Sequence, residues 1–331
     1  MTRRATRARP RAPWAPFVAI AEGAFVEVTR QPAFTIVLLG TLAAYAITPA
    51  LSLFSLGEEA RVLRDFGLST MLVSGLILTS IAAGSVMRRE VEDQTVSALL
   101  AKPVRRETFL VGKFAGVASA VSLAIVVFAI ALMLSARASS GAGHDHGHDP
   151  HDHLDWPVVA GAIGGLVLVA GMAALRSYRH GRSFCGGIVV FATPIASAVL
   201  GVAAVIGPDG RLGEFATGLD GFLVPASVLV LFSMWVLAAF AVSVAVWVGR
   251  GATFLATSTL LLAGLAIGAA ERTPAGALVV PDFSLFWAGE LAYVPDVALG
   301  VDYLGHAALQ ALAFTVAYLA LGALALRRRA L

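Results

Sequence analysis

The amino-acid sequence predicts an all-α polytopic membrane protein, a helical bundle of about eight transmembrane helices. Of 331 residues, 58% are hydrophobic and only 14% are charged, whereas soluble domains carry about 25% charged residues. Mean hydropathy is +0.82. Apolar stretches of about 20 residues, the length a helix needs to cross the hydrocarbon core, recur along the whole chain. Lys and Arg are also distributed unevenly between the segments that join these stretches.

The apolar stretches place the spans, and the basic residues orient them. The predicted spans are 33–56, 67–87, 114–135, 158–175, 185–206, 222–246, 252–270 and 304–326. With the N-terminus inside, the inner segments hold 19 of the 24 Lys and Arg. Since cytoplasmic loops hold the excess of basic residues, both termini are predicted on the cytosolic side, and the chain in a bacterial-type plasma (inner) membrane.

The first 32 residues precede the first span and form a segment of their own. Their Arg-rich start, MTRRATRARPRAPW, contains no acid and is predicted to be a cytosolic basic tail near anionic lipid headgroups. Apolar residues then recur at helical spacing from Trp14 to Val28, with Glu22, Glu27 and Arg30 on the other side. This pattern predicts an interfacial amphipathic helix ended by Pro32, although a plain lead-in to the first span fits equally well.

The predicted spans contain no Asp, Glu, Lys or Arg. Ion-coupled transporters and many channels need ionisable groups at membrane depth, so energy for any work should come from outside this chain. Glycines four residues apart occur at Gly112/Gly116, Gly161/Gly165 and Gly264/Gly268, which would allow close helix contacts. Among 33 Gly such pairs also arise by chance.

Residues 88–113, RREVEDQTVSALLAKPVRRETFLVGK, form a charged segment between the second and third spans. Apolar side chains from Val91 to Leu100 line one side of a short amphipathic helix. Pro103 ends that helix because its ring forbids continuation. A short helix held at two bends between spans is suited to receive a push from a soluble partner. An ordinary solvated loop that obeys the positive-inside rule is the alternative.

This segment resembles the one that follows the second span in permease subunits of ABC-2 type transporters. The pattern E-x-E-D-x-T-x-x-x-L-L-A-K-P-V-x-R-x-x-F-L-x-G-K-x-x-G carries the resemblance, with Gln94 where many relatives have Gly or a basic residue. The matching residues are Glu90, Glu92, Asp93, Thr95, Leu99, Leu100, Lys102, Pro103, Arg106, Phe109, Gly112, Lys113 and Gly116. The segment VVPDFSLFWAGEL at 279–291 and the basic ending LALRRRAL are also similar to that family.

The resemblance implies that residues 33–331 form a transmembrane permease domain and that residues 88–113 couple it to a separate P-loop ATPase subunit, which would hold ATP and Mg. It also implies pairing of permease chains, as a homodimer or with a second permease, and no enzymatic activity on this chain. Such permeases usually have six spans, so the stretches within 158–206 are predicted to form an extra hairpin. Permeases of the nitrous oxide reductase maturation type are among the relatives that the sequence resembles.

The sequence is consistent with an ATPase on another chain. A P-loop requires G-x-x-x-x-G-K-[ST]. The only G-K pair here is Gly112-Lys113, followed by Phe114 and preceded at the first glycine position by Glu107. The E-A-A…G loop of importer permeases is also absent, which favours an exporter. Nothing in the sequence indicates a nucleic-acid partner.

The predicted external loop 136–157 is rich in histidine. Its core, HDHGHDPHDH, contains His144, His146, His148, His151 and His153. Imidazoles and carboxylates at this spacing can bind Zn or Cu. A low-complexity loop that binds metal incidentally is the alternative. The loop keeps two other functions open: a self-sufficient secondary transporter of divalent metal, and a membrane assembly factor for a periplasmic metalloenzyme.

Overall fold

The computed structural model describes residues 14–52, 59–92, 106–140, 156–181, 183–206, 219–269, 280–289 and 299–328. These residues form nine α-helices and one short 3-10 helix, Phe283–Phe286. The α-helices are α1 Ala15–Thr29, α2 Pro32–Ser52, α3 Glu59–Glu92, α4 Arg106–Ser140, α5 Trp156–His180, α6 Phe184–Val205, α7 Leu223–Ala245, α8 Arg250–Ala269 and α9 Val301–Arg328.

The eight predicted spans are confirmed as eight helices, α2 to α9, each long and apolar enough to cross a membrane. The all-helical fold class is therefore also confirmed for the described residues. Helices α3 and α4 are longer than the spans predicted for them. Because α4 extends beyond 114–135 at both ends, it includes Lys113 near its start and Arg137 near its end.

Helix α7 is the centre of the bundle. Two thirds of its span is buried, and it packs against α3, α4, α8 and α9. Its buried face is mostly small, including Ala226, Ser233, Ala238 and Ala241. Hydrophobicity does not drive helices together within lipid, so close approach of small residues is what holds such a bundle. Large exposed side chains are most numerous on α5 and α9, where lipid replaces water as solvent.

Helix α1 does not use the whole apolar face that the sequence pattern suggested. Ala24 and Val28 are buried, whereas Trp14 is 63% exposed. The helix packs along α4, and glycines on α4 permit the contact. A Cβ on Gly116 would lie 2.5 Å from the Ala21 carbonyl oxygen and 2.5 Å from Ala24 Cβ. Since real Cβ atoms do not approach so closely, the Gly112/Gly116 pair is a packing site.

Helices α5 and α6 form the predicted extra hairpin. They pack chiefly on each other, and α6 joins them to α4. Helix α5 ends at His180. The next residue, Gly181, has a φ of 58°, a left-handed conformation that favours glycine after a helix. Gly161 and Gly165 face Val199 of α6. The second glycine pair found in the sequence therefore also lies at a helix–helix contact.

Polar side chains link the helices at the end of the bundle that is predicted to be external. The Tyr45 hydroxyl donates to the Gly67 carbonyl at 3.0 Å, and Ser135 Oγ donates to the Tyr45 carbonyl at 2.8 Å. Arg137, only 2% exposed, donates to the carbonyl of Ile206. Arg64 and Asp220 form an ion pair. These contacts satisfy buried polar groups that would otherwise be costly in an apolar medium.

The segment before the last span, which carries part of the family resemblance, folds onto the bundle. Asp282 caps the 3-10 helix through the Ser284 amide. Phe283 and Phe286 are almost fully buried. Phe283 lies against Gly264, where a Cβ would come within 2.3 Å of its ring. The third glycine pair of the sequence thus supplies one contact, at Gly264.

Candidate functional site

The predicted coupling segment, residues 88–113, joins the end of α3 to the start of α4. Around these two points the predicted cytosolic ends of several helices converge. Gln31, between α1 and α2, donates from its side chain to Ser85 Oγ of α3. Arg250, the first residue of α8, packs on α3 so closely that a Cβ on Gly84 would lie 3.3 Å from its Cα. Near its predicted cytosolic end, helix α3 therefore contacts both the junction of α1 with α2 and the start of α8.

The start of α4 is held on two sides. Lys113, about two turns into the helix, is 7% exposed. Its Nζ lies 4.0 Å from a Glu27 carboxylate oxygen on α1 and 5.6 Å from the centre of the Phe109 ring. Arg106 Nη1, at the first turn, donates to the Leu326 carbonyl of α9 at 3.4 Å. Helix α4 thus contacts both α1 and the end of α9 at this level.

These contacts make the inner ends of α1, α3, α4, α8 and α9 a connected unit, named here the inner platform: residues 17–31, 84–87, 106–116, 250 and 326. A force applied between the end of α3 and the start of α4 would reach α1 through Lys113 and Gly116, and α9 through Arg106. Packed helices transmit displacement because interiors are close-packed and hard to compress.

The structure places only part of the predicted coupling set. Arg106, Gly112 and Lys113 lie on α4 in the inner platform. Glu90 and Glu92 fall in the last turn of α3, but their side chains lie outside what the structure describes. The rest of the set lies outside the described residues: Asp93, Thr95, Leu99, Leu100, Lys102 and Pro103. Their role in coupling stays a prediction.

Two of the three placed residues have a structural role that the pattern did not reveal. Gly112 lies against Ile20 of α1, whose Cγ2 would be 2.8 Å from an added Cβ. Lys113 is buried against Glu27 instead of facing solvent. The only signal available beforehand was the position of Glu27 on the polar side of the amphipathic pattern. Its partner on another helix could not be read from that position.

The histidines of the predicted metal loop, 144 to 153, also lie outside the described residues. Among the residues that are described, no group of three or more His, Cys, Asp or Glu side chains is close enough to hold a metal ion. Metal binding by the loop is therefore untested, and it stays a prediction.

Residues 25–148 match the family model described as ABC-2 family transporter protein. The match begins within α1 and includes α2, α3, α4 and the predicted coupling segment, which is less than half of the chain. It supports an ABC-2 type permease, the class that the sequence resembles. No curated protein and no solved structure matches the chain. With its eight apolar helices, the family match supports a multi-pass membrane protein.

Proposed function

We propose that the chain is the membrane-spanning permease subunit of an ATP-driven ABC-2 exporter in a bacterial-type plasma membrane. The observation that supports it most is the inner platform, where the ends of five helices meet around the start and end of segment 88–113. A P-loop ATPase docks on this segment, and its ATP-driven closure displaces α3 and α4 together. The chain itself hydrolyses nothing, and ATP with Mg²⁺ binds the partner.

A second copy, or a related permease, completes the transporter, with the path for substrate between the two chains. The described spans support this proposal because their central turns contain no carboxylate or basic side chain for ion coupling. Within a membrane, such groups are expensive and mark coupled ion pathways. Energy therefore enters at the inner platform, through the coupling segment.

The direct test is affinity purification of the chain from its native membrane in mild detergent, with identification of co-purifying proteins. We expect a stoichiometric P-loop ATPase that is lost when residues 92–103 are scrambled. Scrambling residues 207–218, a segment on the predicted external side, is the matched control and should retain it. A single-chain oligomer without an ATPase, from wild-type membranes, would contradict the proposal.

Within that complex, Pro103→Ala is expected to uncouple ATP hydrolysis from transport. Alanine lets the short helix continue where proline ended it, so the angle at which the segment meets its partner changes. We expect ATPase co-purification and membrane insertion to persist while transport falls at least tenfold. Pro157→Ala, at the first turn of α5, is the control, since proline at that position is dispensable. Wild-type coupling in Pro103→Ala would count against a docking role.

For the histidine loop we propose metal collection on the external side, in support of a metalloenzyme's assembly. The five His and interspersed Asp of residues 144–153 support this chemistry. The same histidines also favour two alternative functions: a secondary transporter of divalent metal, or an assembly factor without transport. A role like that of the nitrous oxide reductase maturation permeases would unite the loop with the transporter.

Deleting residues 144–153 tests this second proposal. We expect the deletion variant to insert and assemble normally but to lose the Zn²⁺ or Cu²⁺ that the purified wild type binds, as measured by isothermal titration and by elemental analysis. Replacing all five His by Asn tests the imidazoles without shortening the loop. Equal metal content in wild type and deletion variant would remove the metal from the proposed function and leave the loop a solvated linker.

A further inference from the structure

An apolar cavity lies between the extra hairpin and the rest of the bundle. Its volume is about 390 Å³, and it is lined by α2, α4, α5 and α6. The lining is aliphatic apart from aromatic rings and the hydroxyls of Tyr45 and Ser135. Both hydroxyls already donate to backbone carbonyls, Tyr45 to Gly67 and Ser135 to Tyr45. The wall therefore presents apolar surface, suited to an apolar ligand.

The cavity is open to the lipid phase. Ile163 and Leu166 line it and are 58% and 45% exposed. A cavity of about 150 Å³ lined by aliphatic side chains is dry and binds benzene, and ligand pockets begin at about 300 Å³. At membrane depth the molecules that compete for such a space are acyl chains, since water has no polar partner there.

The hairpin also has a strong charge asymmetry. Residues 156–206 contain no Asp or Glu, and Arg176, Arg179 and His180 lie close together near the end of α5. Arg176 is placed by its guanidinium, 5.8 Å from the centre of the Phe191 ring. The tip lies at the same end of the bundle as the inner platform, so it faces the predicted cytosolic leaflet.

We propose that this chain binds one anionic phospholipid of the cytosolic leaflet, with an acyl chain in the cavity and the phosphate at Arg176 near the end of α5. Basic sites between transmembrane helices on the cytosolic side are where anionic headgroups bind. Arginine is suited to phosphate because its planar fork donates two parallel hydrogen bonds. The lipid would fill the space between hairpin and core, which α5 itself contacts little. The proposal depends on the predicted orientation of the spans but not on the transport function.

Native mass spectrometry of the purified full-length chain tests this, with palmitoyl-oleoyl phosphatidylglycerol and the matching phosphatidylcholine as probes. We expect one phosphatidylglycerol retained per chain and at least tenfold weaker retention of phosphatidylcholine. Arg176→Gln should lower phosphatidylglycerol retention at least tenfold. Arg61→Gln, at the opposite end of the bundle, is the control and should leave it unchanged. Equal retention of both lipids would mean that the protein does not recognise the anionic headgroup, and it would overturn the proposal.

The cavity is tested separately by filling it. Ala162→Phe places a ring in the cavity and should displace the lipid, whereas Ala174→Phe, on the exposed side of α5 and outside the lining, should not. A wild-type measurement guards against misfolding of a variant: phosphatidylglycerol carrying a diazirine on its acyl chain should crosslink within residues 158–199. Crosslinks spread evenly over all spans, or displacement of the lipid by palmitate alone at equal affinity, would overturn the proposal.

Discussion

Replacing Gly116 by leucine is expected to detach α1 from α4 at the inner platform. The added side chain would begin 2.5 Å from the Ala21 carbonyl oxygen and 2.9 Å from the Phe25 amide nitrogen. Both are backbone atoms, so no rotamer change can relieve the contact and the whole helix has to move. Overpacking of this kind costs about 1–3 kcal/mol, and the upper end applies where backbone blocks the site.

Hydrogen exchange gives the measurement. In Gly116→Leu the amides of residues 15–29 should exchange at least tenfold faster, while those of α7 keep their wild-type protection. Gly23→Leu, on α1, is the matched control, because nothing lies within 4 Å of a Cβ added to Gly23. It should leave exchange unchanged or slow it slightly, since leucine favours helix more than glycine does. Unchanged protection of α1 in Gly116→Leu would mean that the glycine does not hold the contact.

The spans could be predicted from sequence because each one satisfies its own backbone hydrogen bonds and needs only length and apolarity. The stretch 222–246 predicted α7 almost to the residue. The partners of α7 could not be predicted in the same way. A helix that is apolar on every side carries no periodic signal for which face is buried. Ala238 and Ala241 look like any other alanine until α3, α4 and α9 are placed around them.

Glycine pairs illustrate the same limit. All three pairs were visible in the sequence, and each has a packing role at one or both positions in the structure. Their spacing alone could not separate them from chance among 33 glycines, because close approach depends on a second helix whose identity the spacing does not encode. The count of basic residues per segment had a similar limit. It placed Arg137 in an external loop, although the side chain is buried and donates to the Ile206 carbonyl.

The candidate site was predicted from the resemblance and only partly from physical pattern. Residues 93–105 are predicted to contact a separate subunit, so their amphipathic pattern alone does not specify what the apolar side meets. The flanking residues are different. Because α1 was expected to be amphipathic, its glutamates needed partners on another helix. Lys113, at the start of the third span, was one basic residue available to them. That pairing is a property of three-dimensional packing, and the sequence pattern had placed Lys113 with the docking residues instead.

Removing the amine of Lys113 is expected to lower the free energy of unfolding substantially. Lys113→Met removes the half-buried contact of the Lys113 amine with the Glu27 carboxylate, which joins α1 to α4. Breaking an ion pair by removing one member costs several kcal/mol when the pair is fully enclosed. Since the Glu27 side chain is 22% exposed, we expect a smaller loss of unfolding free energy, about 2 kcal/mol.

A double-mutant cycle separates the pair from the burial of each residue. Glu27→Gln alone should cost less, and Lys113→Met with Glu27→Gln should cost about 1 kcal/mol less than the sum of the two single changes, which is the coupling energy between the two positions. Thermal or denaturant unfolding in one detergent, followed by tryptophan fluorescence, measures all four proteins. Glu22→Gln, an exposed carboxylate on the same helix, is the control and should stay within about 0.5 kcal/mol.

The cycle also bears on how a stroke would spread through the inner platform. If the pair contributes this coupling, α1 and α4 move as one body, and Lys113→Met should lower transport in the ATPase complex more than it lowers ATP hydrolysis. If the two single changes are instead additive, the contact between Lys113 and Glu27 contributes nothing to holding α1. The glycine contacts would then be what joins the two helices, and Gly116→Leu alone should reproduce the loss of transport.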